Sequence, residues 1–312
     1  MFQTYEAQGG PALGRAHLPL LRKAMGKLQL DGFIVPHEDE WQNEYVPAAF
    51  DRLQWLTGFT GSAGAAVVLK DEAAIFVDGR YTLQVKAQVD EKLFAYRDLV
   101  EEGAHGFLRH KAQKGWVIGY DPKLHSPDAL ARLTTAAHEA GATLKPVSPN
   151  PIDAVWRDRP AIPAASVLPH PDRYAGKSAQ EKRTEIGEAT AKAGADAAVL
   201  TAPASLAWLF NIRGGDVART PLPLGEAILR ADGTADLFLA PEKVSAKLRD
   251  WLGNAVSLRP PEDFAPALAA LKGHKVLVDP AASSAFVFTT LEQAGAKVIR
   301  GQDPVTLPRA CK

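Results

Sequence analysis

One string of landmarks occurs twice in this 312-residue chain, in the same order, and that duplication limits the fold more than any other feature. In the first half a helical stretch ends in Asp31-Gly32-Phe33-Ile34-Val35-Pro36. A Leu-x-Trp-Leu start at Leu53 then leads into a Gly-Phe-Thr-Gly-Ser-Ala-Gly loop. Apolar runs at 65–69 and 73–77 flank the turn Lys70-Asp71-Glu72, and a later apolar run closes with Asp121-Pro122. In the second half the counterparts are Asp196-Ala197-Ala198-Val199-Leu200-Thr201, then Leu206-Ala207-Trp208-Leu209 with Gly214 and Gly215 behind it. Apolar runs at 225–230 and 235–240 surround Ala231-Asp232-Gly233-Thr234, and Asp279-Pro280 closes the series. Two short apolar runs about a polar turn are a hairpin signal. A repeat of such long period means two copies of one domain, since solenoid repeats are far shorter. The length agrees, because each half is large enough to bury its own core.

Leu18, Leu21, Met25 and Leu28 at helical spacing predict an amphipathic helix over 15–30, feeding a strand at 32–36. Further helices are expected over 83–89, 103–111 and 128–140, with strands near 94 and at 116–120. Strands alternating with helices indicate an α/β fold. Seven of the 23 prolines lie between 146 and 171. Proline has no amide donor, so this cluster reads as a linker and divides the chain into domains 1–160 and 161–312. Ser178-Ala179-Gln180-Glu181 has capping-box spacing and opens a helix to about 193, with Gly194 as its stop. A helix over 244–252, a strand at 276–279, a helix over 284–295 and a strand at 296–300 follow. Residues 307–312 carry no expected packed element, and the chain ends as though a further segment follows.

The remaining composition excludes several function classes. Lys plus Arg and Asp plus Glu both number 36, so the net field is weak and neither nucleic acid nor an anionic membrane is an expected partner. Cys311 is the one cysteine, which excludes an internal disulfide framework and a cysteine-built zinc site and points to a reducing, cytoplasmic setting. Apolar runs stay below membrane-spanning length. The eight histidines include no HExxH pair, and neither a GxSxG elbow nor a Cys/His nucleophile arrangement occurs. Gly176-Lys177-Ser178 has the ending of a phosphate-binding loop, but Pro171 stands where that loop needs glycine. The glycines at 58, 61 and 64 lack dinucleotide-loop spacing and read as turn residues. By its residues alone the chain has no catalytic centre.

Two charged residues keep a functional reading. Glu44 lies in the polar run 37–47, between Trp41 and Tyr45, where a carboxylate can take a ligand ammonium. In that reading Trp41 and Tyr45 are expected to pack and fix the loop; its alternative is a solvated loop acid. Arg80 follows Asp78-Gly79 at the end of an expected strand, where a guanidinium fork can reach a ligand carbonyl or carboxylate. Its alternative is an ion pair with Asp78.

Six blocks, WQNEYVP, WLTGFTGSAG, FVDGRYTLQ, VIGYDP, VWRDRP and LAWLFNIRGGDV, taken in order and spacing, resemble cytosolic-type Xaa-Pro aminopeptidase (aminopeptidase P) over nearly the whole chain. The resemblance implies an α/β protein of two tandem creatinase-like N-terminal domains, each a mixed β-sheet with flanking helices, ahead of a pita-bread metallopeptidase domain. It implies that the parent enzyme releases the N-terminal residue preceding proline and acts on peptides with proline at the second position. It also implies a homodimer, with two divalent ions, manganese, held by that third domain. None of those ligands maps onto this chain, so no catalytic residue, metal or cofactor is expected within it. DPVTLPRACK is similar to the lead-in to the catalytic domain. Glu44 and Arg80 match the positions from which the first domain helps hold a peptide's N-terminal end at the rim of the cleft. The implied role is therefore the non-catalytic N-terminal segment of such a peptidase, narrowing its cleft and positioning substrate. The alternative is a freestanding binding or interaction protein derived from one.

Overall fold

The structure is a computed structural model, and it describes residues 9–311. The chain divides into two compact units: one holds residues up to Asp39, Ala48–His125 and Ala129–Ala161, the other Glu40–Pro47, Ser126–Asp128 and the chain from Ile162.

The sheet of the first unit contains β1 (Gly32–Pro36), β2 (Gly64–Leu69), β3 (Ala73–Val77), β4 (Ala95–Asp98), β5 (Val117–Tyr120) and β6 (Thr143–Pro146), in the order β4-β3-β2-β1-β5-β6. β2 runs antiparallel to both β1 and β3, and the outer pairs β3/β4, β1/β5 and β5/β6 are parallel. β1 and β3 are buried along their whole length. Helices cover both faces, which is why these strands read as unbroken apolar runs rather than an in/out alternation. The alternation survives as a choice of layer. Phe33 and Val35 join the core formed with Leu18, Leu21 and Met25 of the helix Pro11–Lys27 and with Leu53 and Leu56 of Arg52–Thr57. Ile34, one position out of phase, packs with Phe107 and Leu108 of Gly103–Lys111 and Leu133 of Pro127–Glu139.

In the second unit β7 (Leu168–Pro169) and β9 (Ile212–Arg213) form a two-stranded ribbon. The main sheet contains β8 (Ala197–Leu200), β10 (Glu226–Arg230), β11 (Ala235–Phe238), β12 (Val256–Arg259), β13 (Lys275–Val278) and β14 (Lys297–Arg300), in the order β12-β11-β10-β8-β13-β14. β10 is antiparallel to β8 and β11, and the remaining pairs are parallel. Strand for strand this repeats the first sheet, so the duplicated landmarks mark a duplicated topology. The shared class is α/β, with two tandem mixed sheets and flanking helices.

Several local expectations shift for identifiable reasons. The first helix spans Pro11–Lys27 rather than 15–30, because Pro11 supplies a preset φ in the first turn and Gln29, at φ 56, ends it. Gly58 caps Arg52–Thr57 at φ 86, and its carbonyl accepts the Gly10 amide at 3.1 Å. A Cβ on Gly58 would lie 2.1 Å from the Gly10 carbonyl oxygen, so the glycine allows helix start and helix end to meet. The proline-rich stretch is only partly loose. Ile152 and Trp156 belong to the first core, and Val167 donates to the Lys243 carbonyl at 2.9 Å, leaving residues 160–166 without regular structure. The C-terminal run departs from expectation too, since Thr306–Ala310 is helical behind a fully buried Val305. Asp303, also buried, accepts the Ser205 hydroxyl at 2.6 Å. Lys312 lies outside the described residues.

Candidate functional site

The carboxyl ends of β1, β3 and β5 and the start of β2 lie along one edge of the first sheet, as the register Pro36↔Ala65 and Gly64↔Val77 requires. In open α/β sheets the carboxyl edge is where ligands bind. Two sequence blocks meet there. Asp78 caps the short 3-10 turn Gly79–Tyr81 by accepting the Arg80 amide at 2.9 Å. The Arg80 guanidinium folds back on the same carboxylate, Nε 3.1 Å from each oxygen and Nη2 2.6 Å from Oδ2. These bonds hold the Asp78 carboxyl below its usual range. The ion-pair reading of Arg80 is thus present in the structure, yet 65% of its side chain stays exposed above the Tyr81 ring.

Tyr81 joins that turn to the glycine-rich loop. Its hydroxyl accepts the Ser62 amide at 3.2 Å and lies 3.0 Å from the Ser62 hydroxyl, and its ring meets Phe59 edge-on at 5.5 Å. Thr60 is held from the following helix, Thr82–Gln88, by Gln84 at 3.0 Å and Gln88 at 2.8 Å. The loop is therefore a rigid surface built on the residues around Arg80. Ser62, Tyr81 and Gln88 were not singled out from sequence; Ser62 and Tyr81 lie inside the two blocks, and Gln88, outside both, carries no such signal.

Glu44 is exposed on irregular backbone in the segment Glu40–Pro47, which groups with the second unit. That segment leaves β1 through His37, whose amide donates to the Gly64 carbonyl at 3.0 Å, and through the fully buried Asp39. The expected packing by flanking aromatics is half met, with Trp41 partly buried and Tyr45 63% exposed. Glu44 and Arg80 fall in different units.

Two of the other sequence blocks build structure rather than a site. In VWRDRP, Arg159 reaches Asp153 at 3.1 Å and the Ala49 carbonyl at 2.6 Å, and Asp153, two residues before the block, takes a bidentate pair from the buried Arg52 at 2.8 and 2.9 Å. In the RGGDV block, Asp216 pairs with Lys243 at 2.8 Å, the two side chains 0% and 4% exposed. Among the described residues no group of three or more His, Cys, Asp or Glu is arranged to hold a metal ion, so the residues present do not fit a metal centre. Nor is any described helix long and apolar enough to cross a membrane.

Two family models, both described as the creatinase/prolidase N-terminal domain, match residues 18–156 and 158–312. The chain belongs to that family. Similarity extends to curated relatives. The chain is 35% identical over 254 residues to the probable Xaa-Pro aminopeptidase P of Ajellomyces dermatitidis, covering 80% of this chain and 41% of that protein. It is 35% identical over 262 residues to the protein of the same name from Aspergillus clavatus, covering 83% and 40%. Among solved structures, the X-prolyl aminopeptidase of Caenorhabditis elegans, described as a cytosolic enzyme with a di-nuclear active site, shares the fold with a TM-score of 0.85 at 24% identity. That likeness covers 92% of this chain and 50% of that one. This creatinase-family chain thus spans about two fifths of the length of the curated relatives it matches.

Proposed function

We propose that this chain is the N-terminal two-domain part of a cytoplasmic Xaa-Pro aminopeptidase, where it narrows the active cleft and positions peptides with proline at the second position. The observation that carries the reading is the similarity to Xaa-Pro aminopeptidase P across 80% of this chain and only 41% of that protein; the described residues, for their part, form no group able to hold a metal ion. The chemistry then belongs to the remainder of the whole protein, with two divalent ions such as manganese and a homodimeric assembly. In this reading the exposed Glu44 takes the peptide's α-ammonium and Arg80 a substrate carbonyl or carboxylate, each by a charge-assisted bond.

Turnover of a Xaa-Pro tripeptide is the test. The whole protein with manganese is expected to release the first residue, and the chain alone is not. Turnover by the chain alone, or a whole protein inert toward every Xaa-Pro peptide offered, overturns the reading.

A further inference from the structure

The second unit holds a cavity of about 430 Å³ on the side of its sheet where the β10–β11 turn lies. That volume is in the range of small-ligand sites. Its walls come from the first turn of the helix Ala179–Lys192, the turn 231–234, and the end of the helix Ala246–Leu252. Gly187 sets how closely the first helix approaches the turn: a Cβ there would lie 2.8 Å from the Ala231 carbonyl oxygen. One helical turn earlier on the same face stands Arg183, which lines the cavity and is only 6% exposed.

Arg183 has far less bonding than a buried guanidinium requires. Its Nε donates to the Gly233 carbonyl at 3.3 Å, and among the described residues no carboxylate pairs with it. Burial lowers its pKa and no neighbouring acid raises it. A largely buried cation without a counter-ion is costly, and its terminal nitrogens, which no bond from the described residues occupies, are open to an acceptor in the cavity. Glu181 does not supply one, since it closes the capping box on the Ser178 amide at 2.8 Å and hydroxyl at 2.7 Å.

The same cavity carries two acids, Asp172 and Asp232. Asn211 holds Asp172 at 3.1 Å, and the amide and hydroxyl of Thr234 hold Asp232 at 2.9 and 2.7 Å. All of these bonds land on Oδ1, leaving Oδ2 of each acid for other contacts. Trp251 and Leu252 add an apolar wall, with the indole fixed by its bond to the Phe210 carbonyl at 3.1 Å. A doubly charged inorganic anion would meet two like charges here, and a simple amine would leave the guanidinium unmatched. A zwitterion answers both.

We propose that this cavity binds a small zwitterion with an apolar side chain, a free amino acid or a dipeptide. Its carboxylate lies on Arg183, its ammonium on Asp172 and Asp232, and its side chain against Trp251 and Leu252.

The test is a titration of the isotope-labelled chain with L-leucine and with glycyl-leucine, following the Trp251 indole N–H resonance. A saturable shift at millimolar ligand is expected from at least one of them, and their relative strengths identify which class the cavity takes. Leucinamide, which lacks the carboxylate, and 4-methylpentanoate, which lacks the ammonium, are each expected to bind at least about tenfold more weakly. Asp232→Asn keeps an acceptor for the turn and should weaken the zwitterion by about tenfold without weakening 4-methylpentanoate. Arg183→Met should abolish binding, and if it fails to fold the Asp232→Asn comparison decides alone. No saturable shift with either zwitterion, equal binding of leucinamide, or binding indifferent to Asp232→Asn overturns the proposal.

Discussion

Asp31 and Asp196 make the same pair of contacts in the two sheets. The Asp31 carboxylate accepts the Val117 amide at 2.7 Å and its own amide donates to the Val117 carbonyl at 2.8 Å; Asp196 does the same with Lys275, at 2.8 and 2.8 Å. Each aspartate thus fastens the strand it opens to the parallel strand beside it, one residue before the ladder begins, and both stand first in their repeated apolar runs.

Replacing either aspartate with alanine leaves an edge amide without its acceptor. A hydrogen bond to a charged group is worth about 1.5–3 kcal/mol, and the partial exposure of both sites puts each loss toward the lower end. Burial raises the Asp31 pKa, but bonds from Lys70 and the Val117 amide outweigh it and the net shift is downward. The stabilisation is therefore present above the unfolded carboxyl pKa and fades as pH falls through the lower folded value. Urea midpoints of Asp31→Ala and Asp196→Ala at neutral pH check the magnitude; midpoints unchanged from the parent chain rule the clasp out.

His125 gives acid sensitivity of the opposite kind. Its ring is buried against Tyr120, with Nε2 unbonded, and burial lowers its pKa from 6.5 to about 4. Between those values the unfolded chain takes up a proton that the folded chain refuses, so stability falls as pH drops from 6.5 toward 4. The loss is about 3 kcal/mol at pH 4. His125→Phe keeps a ring and removes the titration, so its midpoint should lose that much less between pH 7 and pH 4. Parallel pH profiles for parent and variant would refute the assignment.

Residues 160–166 should be the first point of proteolytic attack. Arg159 is held by Asp153 and Ala49, and Val167 is hydrogen-bonded to Lys243, but the residues between have exposed positions such as Ile162, at 60%, and no regular structure. Brief proteinase K digestion with mass analysis should give two fragments joined there. A first cut within 53–81 would be incompatible with this arrangement.

What the sequence made legible was what repeats locally. Unbroken apolar runs such as Phe33-Ile34-Val35 and the Ser178/Glu181 capping box have period and spacing that survive without knowledge of distant partners. The duplicated landmarks also carried the topology, because strands joined by similar connections pair in a similar order. Contacts fixed only by tertiary approach were illegible. Nothing beside Arg183 in the chain announces that the turn at Gly233 will bury it, and nothing near Asp216 points to Lys243. Arg80 was legible halfway: Asp78 two residues away suggested the pair that forms, but not the bond from Tyr81 to Ser62. The helix Thr306–Ala310 was missed because its anchor is one residue, Val305, too short a signal for periodicity.

The Asp216–Lys243 pair should be expensive to break from one side only. Asp216 Oδ2 also accepts the Leu224 amide at 2.7 Å, while Oδ1 is buried with no hydrogen bond. Lys243→Met strands a buried carboxylate, a change that costs about 3–5 kcal/mol. The double variant Asp216→Asn with Lys243→Met removes the charge as well and should recover much of the loss. If the double variant is as unstable as the single one, side-chain packing rather than charge explains the effect.

Glu44 offers the sharpest test of the proposed substrate role, and it requires the whole protein. An aminopeptidase must distinguish a free α-ammonium from an internal peptide bond, and a carboxylate held on backbone outside the packed core is a simple device for doing so. Glu44 is exposed in an irregular segment whose entry is fixed by His37 and Asp39, so changing its charge should disturb the fold little. Glu44→Gln keeps the shape and removes the charge. In the whole enzyme kcat/KM for a Xaa-Pro tripeptide should fall by the equivalent of about 1.5–3 kcal/mol. The same peptide with an acetylated N-terminus, which offers no ammonium, should be turned over poorly by both proteins and show no further loss in the variant. Urea midpoints of the isolated chain should match with and without the substitution. Full activity in Glu44→Gln, or a loss explained by a lowered midpoint, would make Glu44 a solvated or structural acid, and substrate recognition would then have to come from another group.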